Sequence, residues 1–419
     1  MFQLLYADNK GRMFEHPELM AGGRAGNLYT EMDEEEAIPL PEGASLVMVP
    51  GGQPVGVDSQ GSFTVYNGKR GIQVFAVGAL LPQGFTRTLI PAYRRGDNAP
   101  LPLFGYAAVG WRNGEIYVAA VQTDETTKWD PLHYSTPDLE GLVWETREVF
   151  RDNRIIKQLS KCALEYHCFT AQNIFYRRWE GGIPVSPACN ARCLGCISLQ
   201  PAECCPSPQS RIDFTPTVDE IVNVAVPHLS RAKDGIISFG QGCEGEPSLA
   251  ANTVAEAIVA IRRQTSDGTI NMNTNAGFTE GITTVCQAGI DSLRVSTISA
   301  RESTYLAYYA PRDYKWANVQ ASVAAAREQG VYVSLNLLTY PGLTDTPGEI
   351  EALLDFIEKY DINMVQIRNL NIDPDYFADK VPLDGGEVLG INRFIEILKT
   401  EIPGLAVGNY TKPVTKQSG

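Results

Sequence analysis

The pattern of apolar and polar positions changes near residue 180. Before it, short alternating runs such as Ser45–Val49, Ser62–Tyr66, Ile72–Val77 and Glu115–Ala120 are separated by Gly- and Pro-containing turns. That rhythm predicts a β-rich domain over residues 1–150. Residues 151–180 form a connecting segment, basic first (Arg151, Arg154, Lys157, Lys161) and then aromatic (Tyr166, Phe169, Phe175, Tyr176, Trp179). From residue 181 onward, short apolar runs alternate with longer stretches of helical periodicity, the sequence form of βα units around a parallel sheet.

Six such units are read between residues 181 and 400. Their strands are expected near Ile183–Ser186, Ile236–Gly240, Ile270–Thr274, Leu293–Thr297, Val331–Leu338 and Met364–Leu370. Helices are expected over 217–232, 251–265, 279–287, 314–329, 347–360 and 386–400. Six units fall short of the eight of a closed barrel. The expected fold is therefore α/β, a partial (β/α)6 barrel with an additional N-terminal β-rich domain and a C-terminal tail over 401–419.

Alternate side chains of a strand point to opposite faces. Met272, Leu293, Val295, Leu335, Leu337, Val365 and Ile367 suit contact with the outer helices, which turns Asn271, Asn273, Arg294, Ser296, Ser334, Asn336, Gln366 and Arg368 into the lumen. Buried polar groups cost about 1–3 kcal/mol each when unpaired, so this lining implies mutual hydrogen bonding or a bound polar ligand. Asn271, Asn273, Gln366 and Arg368 are the candidate substrate-lumen residues.

At 419 residues, 44% hydrophobic and 20% charged, the chain has the composition of a globular protein of more than one domain. A formal net charge of −14 argues against extensive nucleic-acid binding, which draws its affinity from a Lys/Arg surface. The acidic run Glu31-Met32-Asp33-Glu34-Glu35-Glu36 reads as a solvated loop. No secretory signal or membrane span is evident, and a cytoplasmic location is expected. In a reducing compartment the nine cysteines are better read as ligands or catalysts than as disulfides.

Three of them, Cys189, Cys193 and Cys196, form a C-x3-C-x2-C run. The spacing also fits one face of a helix, but Pro187, Asn190 and Gly195 within and before the run favour a loop, since Gly alone weakens a helix by roughly 1 kcal/mol relative to Ala. Zinc is a second reading, with Cys204 or Cys205 completing four thiolates, although zinc cysteines usually come as paired C-x2-C knuckles. The third is an iron–sulfur cluster of the 4Fe–4S type. It normally takes four cysteines, so three would leave one iron open to a reactive ligand.

This loop, followed about 40 residues later by Ser238-Phe239-Gly240-Gln241-Gly242-Cys243-Glu244-Gly245-Glu246-Pro247, resembles the signature of the radical S-adenosylmethionine (SAM) enzymes. Loops after parallel strands are where α/β active sites form. The resemblance covers residues 181 to 375. It implies that Cys189, Cys193 and Cys196 hold the cluster and that Gly245-Glu246-Pro247 corresponds to the family motif that holds the amino group of SAM. Thr274-Asn275-Ala276-Gly277 resembles the family's turn after the third strand. Ser292-Leu293-Arg294-Val295-Ser296 resembles its fourth strand, and Asn336 with Pro341-Gly342-Leu343-Thr344-Asp345 its ribose- and adenine-side elements. Gly245, Glu246, Pro247, Asn275, Arg294, Ser296 and Asn336 are thereby the expected SAM-binding residues.

The implied chemistry is reductive cleavage of SAM to methionine and a 5′-deoxyadenosyl radical, with an electron from a flavodoxin or ferredoxin. The radical then abstracts hydrogen from an organic substrate, either a peptide or protein or a small metabolite, in oxidoreductase, transferase or lyase chemistry. RNA modification is a further alternative, which the acidity disfavours. A non-catalytic iron–sulfur or zinc protein is another, and it leaves the Gly-Glu-Pro turn unexplained. Cys162 and Cys168, with one or both of Cys204 and Cys205, are candidate ligands of a second iron–sulfur cluster, while Cys243 and Cys286 are expected to pack.

Overall fold

The structure, a computed structural model, describes residues 1–69, 72–96, 99–200 and 207–414. The first part of the chain is an antiparallel sheet built on the paired strands Gln3–Asp8, Met13–Ala25, Val74–Leu80, Tyr106–Arg112 and Glu115–Gln122. The sequence-derived strands fall within it as Ser45–Met48, Phe63–Val65, Val74–Leu80 and Glu115–Gln122. The β-rich region ends earlier than expected, because Leu139–Val149 is a helix, and the connecting segment is itself the two helices Arg154–Leu164 and Phe169–Tyr176. Arg154–Leu164 buries Ile155, Ile156, Leu159, Cys162 and Ala163 and caps its N-terminus with the Asn153 side chain, which accepts from Ile156 N.

The second part is a parallel sheet with strand order Glu180–Gly182, Ile236–Phe239, Thr269–Thr274, Ser292–Thr297, Tyr332–Thr339, Met364–Asn369 and Ala406–Gly408. The first barrel strand lies at Glu180–Gly182 and not at Ile183–Ser186. Its pairing partner is Ile236–Ser238, and the contact runs one residue further, where Ile183 N donates to Ser238 O at 3.0 Å, before the strand ends. The seventh strand was not expected: Ala406–Gly408, within the segment read as a tail, pairs with Met364–Gln366. Five of the expected helices appear as Val218–Leu229, Ala251–Arg262, Thr279–Gln287, Trp316–Glu328 and Pro347–Lys359, and the last is Ile391–Glu401.

Strand parity holds. Met272, Leu293, Val295, Leu335, Leu337, Val365 and Ile367 are buried against the helices within one continuous apolar core. The lumen side is polar and largely self-satisfied. Ser238 Oγ donates to Glu180 Oε1 (2.6 Å), Asn271 Nδ2 to Ser238 Oγ (3.0 Å) and Asn273 Oδ1 (2.8 Å), and Ser292 Oγ to Asn271 Oδ1 (2.9 Å). Arg294 pairs with Glu180 at 3.6 Å and donates to Thr411 Oγ1 at 2.9 Å, while Gln366 Nε2 donates to Ser334 Oγ at 3.1 Å. The C-terminal segment thus reaches the lumen at Thr411.

The two parts are joined along the sixth barrel strand. Asn369 Oδ1 accepts from Arg87 N and its Nδ2 donates to Phe85 O, while Arg87 Nη2 donates to Leu370 O at 2.8 Å. Arg24–Asp375 (2.7 Å) and Arg95–Asp373 (3.2 Å) are ion pairs across the same seam, and Gly26 N donates to Pro341 O. Ile90 and Leu103 belong to the barrel's own apolar core. The N-terminal sheet is therefore a wall of the barrel and not a tethered neighbour.

His228 provides a test of this packing. It is buried on the helix Val218–Leu229, its Nε2 donates to Trp179 O at 2.8 Å, and Nδ1 has no partner. Burial pushes its pKa down from 6.5 to about 4. Between these values the unfolded chain binds the proton and the folded chain does not, so stability is full above about pH 6.5 and is lost as pH falls toward 4, by about 3 kcal/mol. His228→Gln removes this dependence. In urea unfolding at pH 7 and at pH 4, the stability difference between wild type and variant is expected to shift by about that amount, and a pH-independent difference would refute the assignment.

Candidate active site at the cysteine loop

The cysteine loop is held from two sides. On one side, the carbonyls at the C-terminal end of the helix Glu302–Tyr309 accept its backbone: Arg192 N donates to Tyr309 O and Leu194 N to Tyr308 O, both at 3.0 Å. Helix ends leave such carbonyls free, and here the loop uses them. Gly195 lies where a Cβ would meet Tyr308 Oη at 2.8 Å and Asn371 O at 3.2 Å. The absent side chain makes room for the tyrosine.

On the other side is the turn after the second barrel strand. Glu244 is buried and its carboxylate accepts four backbone N–H groups, from Val185, Ser186, Gly240 and Gln241, at 2.7–3.0 Å. Burial raises this carboxyl to about 7, yet four donors leave no acceptor for an acid proton and favour the carboxylate. Gly245 N donates to Ser186 O and Glu246 N to Ala188 O, each at 2.7 Å. A Cβ at Gly245 would lie 1.9 Å from Ala188 O. Backbone packs directly on backbone here, immediately before Cys189, and only glycine permits it.

Glu246 is also buried, and its oxygens are committed within the protein: Oε1 accepts from Ser248 N (3.0 Å) and Thr274 Oγ1, and Oε2 from Asn275 N (2.8 Å). It ties the second-strand loop to the third-strand turn, with Pro247 beginning the short helix Pro247–Ala250. Asn275 Nδ2 in turn donates to Asn190 Oδ1 at 2.7 Å, linking that turn to the cysteine loop. Arg294 lies with Glu180 and Thr411. Ser296 and Asn336 are register partners on the fourth and fifth strands and remain partly exposed.

Cys189, Cys193 and Cys196 line one cavity of about 630 Å³, together with Leu194, Leu199, Arg211, Arg312 and Tyr376. Burial pushes the Cys193 thiol well above its usual range and raises Cys189, and in both the neighbouring cysteines add to the rise. Three thiolates are thus unfavourable here without a cation among them, and a metal centre supplies one. Among the described residues no three His, Cys, Asp or Glu side chains are disposed to hold a single ion. A cubane asks something else, three thiols facing one cavity and each meeting a different iron, and the loop meets that requirement. Arg211, not singled out from the sequence, stands beside them, with Nη2 3.7 Å from Cys196 Sγ and Nε 3.1 Å from Ser198 Oγ. Arg211 and Tyr308 carry no motif spacing that could have revealed them, whereas Asn190 lies inside the cysteine loop and Glu244 inside the recognised turn.

Of the remaining cysteines, the thiols of Cys162 and Cys243 are in hydrogen-bond contact, and Cys168 lies beside them, its N donating to Cys162 O at 3.0 Å. Cys243, expected to pack alone, is thereby part of this group. Cys204 and Cys205 lie outside the described residues. Cys286 is buried in the helix Thr279–Gln287, as expected.

Residues 183–357 match the family model described as the radical SAM superfamily. No curated protein matches the chain. Similar solved structures include methylornithine synthase (PylB), 15% identical with a TM-score of 0.39 over 64% of this chain and 78% of that one. HydG, a maturase of the FeFe-hydrogenase, is 15% identical with a TM-score of 0.40 over 64% and 62%, so the chain spans under two thirds of its length. SuiB of Streptococcus suis bound to the precursor peptide SuiA is 13% identical, with a TM-score of 0.39 over 73% and 69%.

The backbone contact at Gly245 makes a prediction. Gly245→Ala forces the two loops apart at a cost of about 1–3 kcal/mol, lowering Tm and reducing iron bound after anaerobic reconstitution. Gly141→Ala, where a Cβ meets nothing within 4 Å, is the control and keeps both. Wild-type iron content in Gly245→Ala would refute the coupling of the two loops.

Proposed function

We propose that the protein is a radical SAM enzyme, in keeping with the match of residues 183–357 to that superfamily's model, and that it abstracts a hydrogen atom from an organic substrate, a peptide or a small metabolite. The observation that carries this reading is the joining of the Cys189–Cys196 loop to the Gly-Glu-Pro turn by backbone contacts at Gly245 and Glu246. When bound, the 4Fe–4S cluster and SAM supply methionine and a 5′-deoxyadenosyl radical.

The residues of this chain have separate tasks. Cys189, Cys193 and Cys196 would hold the cluster through their thiolates, and Arg211, with Nη2 3.7 Å from Cys196 Sγ, would offset thiolate charge there. Leu194, Leu199 and Tyr376 line the cavity and reduce its water content. Glu244 and Glu246 hold the surrounding turns in place from behind. Ser296 and Asn336, whose side chains are not tied into the lower network, face the SAM and substrate space. The electron comes from an external donor of the flavodoxin or ferredoxin type. No helix of the described residues is long and apolar enough to cross a membrane.

The test is anaerobic. The reconstituted, dithionite-reduced protein is expected to form 5′-deoxyadenosine and methionine from SAM, and Cys193→Ala is expected to form neither. Bound zinc with no iron, or product formation that survives Cys193→Ala, would refute the reading. Iron is counted in the same preparation. About four per chain corresponds to the one cluster, while about eight, falling to about four in Cys162→Ala, extends the cofactor set to a second cluster involving the Cys162–Cys168–Cys243 group.

A further inference from the structure

Arg368 keeps one edge of its guanidinium free of hydrogen bonds among the described residues. It lies on the sixth barrel strand, and Nη1 donates to Asn409 O (2.6 Å) and Gln83 Oε1 (3.2 Å). Among the described residues it has no carboxylate within ion-pair distance, and its Nε and Nη2 make no hydrogen bond. Glu180 acts on it electrostatically but makes no ion pair with it, its Oε1 being shared by Arg294, Ser238 and Thr411. Burial and repulsion from Arg294 push the Arg368 pKa down to about 10, still far above neutral pH, so the guanidinium remains charged.

Arg368 is partly exposed, so its free edge is open to an adjoining cavity. Of the neighbouring arginines, Arg294 pairs with Glu180, Arg24 with Asp375 and Arg95 with Asp373, while the fully buried Arg87, also without an ion pair among the described residues, places its two Nη groups on carbonyls with its guanidinium 5.8 Å from the Tyr340 ring centroid. Arg368 instead borders a cavity of about 200 Å³ at the seam between the N-terminal sheet and the barrel. Gln83, Phe85 and Phe104 come from the sheet, and Asn369, Asn371 and Asn409 from the barrel side. The cavity offers the free edge of one guanidinium, the carboxamides of Gln83 and Asn371 and two aromatic rings, the carboxamides of Asn369 and Asn409 being committed to Arg87, Phe85, Gly84 and Ile367.

We propose that this cavity is a binding site for a carboxylate-bearing small molecule or chain terminus, with Arg368 as the recognising residue and the N-terminal domain completing the pocket. The guanidinium pairs a planar carboxylate in two parallel hydrogen bonds, the carboxamides suit its polar neighbours, and the rings of Phe85 and Phe104 suit its aliphatic part. Identification of the ligand as the enzyme's substrate rests on the radical SAM reading, whereas the binding itself does not. The N-terminal domain, which carries no catalytic motif, thereby acquires a role as half of the recognition site.

The experiment uses the full-length protein with acetate as probe, at constant ionic strength set with chloride. Acetate is expected to raise Tm by about 2–4 °C in wild type at saturating concentration, and this rise is expected to vanish in Arg368→Gln. Should Arg368→Gln fail to fold, Arg368→Lys, which keeps the charge but loses the fork, is expected to need roughly tenfold more acetate for the same shift. No rise in wild type, an equal rise in the variants, or a rise with inorganic phosphate in place of acetate would overturn the proposal. The measurement is repeated on Cys193→Ala without cluster, and SAM cleavage is scored separately. A protein that cleaves SAM without acetate protection loses the pocket and keeps the radical reading, and the converse result does the opposite.

Discussion

A single buried carboxylate ties the site together. Glu244 gathers four backbone N–H groups, two from the segment that leads into the cysteines and two from the turn after the second barrel strand. Charge-assisted bonds to backbone amides are among the stronger ones available, and the donors at Val185 and Ser186 are buried. With that turn fixed, Gly245 and Glu246 can lie against Ser186 and Ala188. Glu246 then fixes the third-strand turn, and Asn275 closes the circuit onto Asn190. The cysteines are thus placed by a chain of polar contacts in which each element depends on the one before it.

That arrangement separates two duties that the sequence alone tends to merge. A Gly-Glu-Pro turn beside a cysteine loop suggests that the glutamate faces the ligand, yet here the Glu246 oxygens already receive a backbone amide, a hydroxyl and a second backbone amide. Its role is to shape the turn. The turn acts on the cysteine loop through backbone, which glycine at 245 brings against Ser186 and Ala188 just ahead of Cys189. The same economy appears at Gly195, where a missing side chain leaves room for the Tyr308 hydroxyl.

The sequence was most readable where periodicity and burial coincide. Five of the six barrel strands and the helices between them were legible because their apolar faces repeat at the period of the element, as at Met272, Leu293, Val295 and Ile367. The first strand was misplaced because Glu180-Gly181-Gly182 carries no apolar signal. It is a strand because of what pairs with it, and with it Glu180, the counter-charge of Arg294, escaped notice. The short seventh strand and the helices of the connecting segment were missed for related reasons: three residues carry too little pattern, and basic residues on a helix's wet face obscured the apolar stripe of Ile155, Ile156 and Leu159. In the site, the cysteine spacing and the glycine turn were legible because chemistry constrains residue type. Arg211 and Tyr308 were not, since their positions are set by tertiary contact and leave no local trace.

The lumen reduces to an accounting of charge. Its lower half closes on itself through Glu180, Arg294, Asn271, Ser292 and Thr411, so the polar lining there is explained without any ligand. Of the two readings of the polar lining, mutual hydrogen bonding accounts for this half. The sixth strand adds a second arginine, whose guanidinium keeps a free edge beside a cavity. The strand that carries Arg368 also carries Asn369, whose amide holds the N-terminal sheet to the barrel through Phe85 and Arg87. The wall that shuts the barrel's open side and this second arginine are thus adjacent in the chain. Any displacement of the N-terminal sheet at Asn369 would alter the setting of Arg368, and for that reason the docking of the two parts and the recognition of an anionic ligand are best regarded as one structural problem.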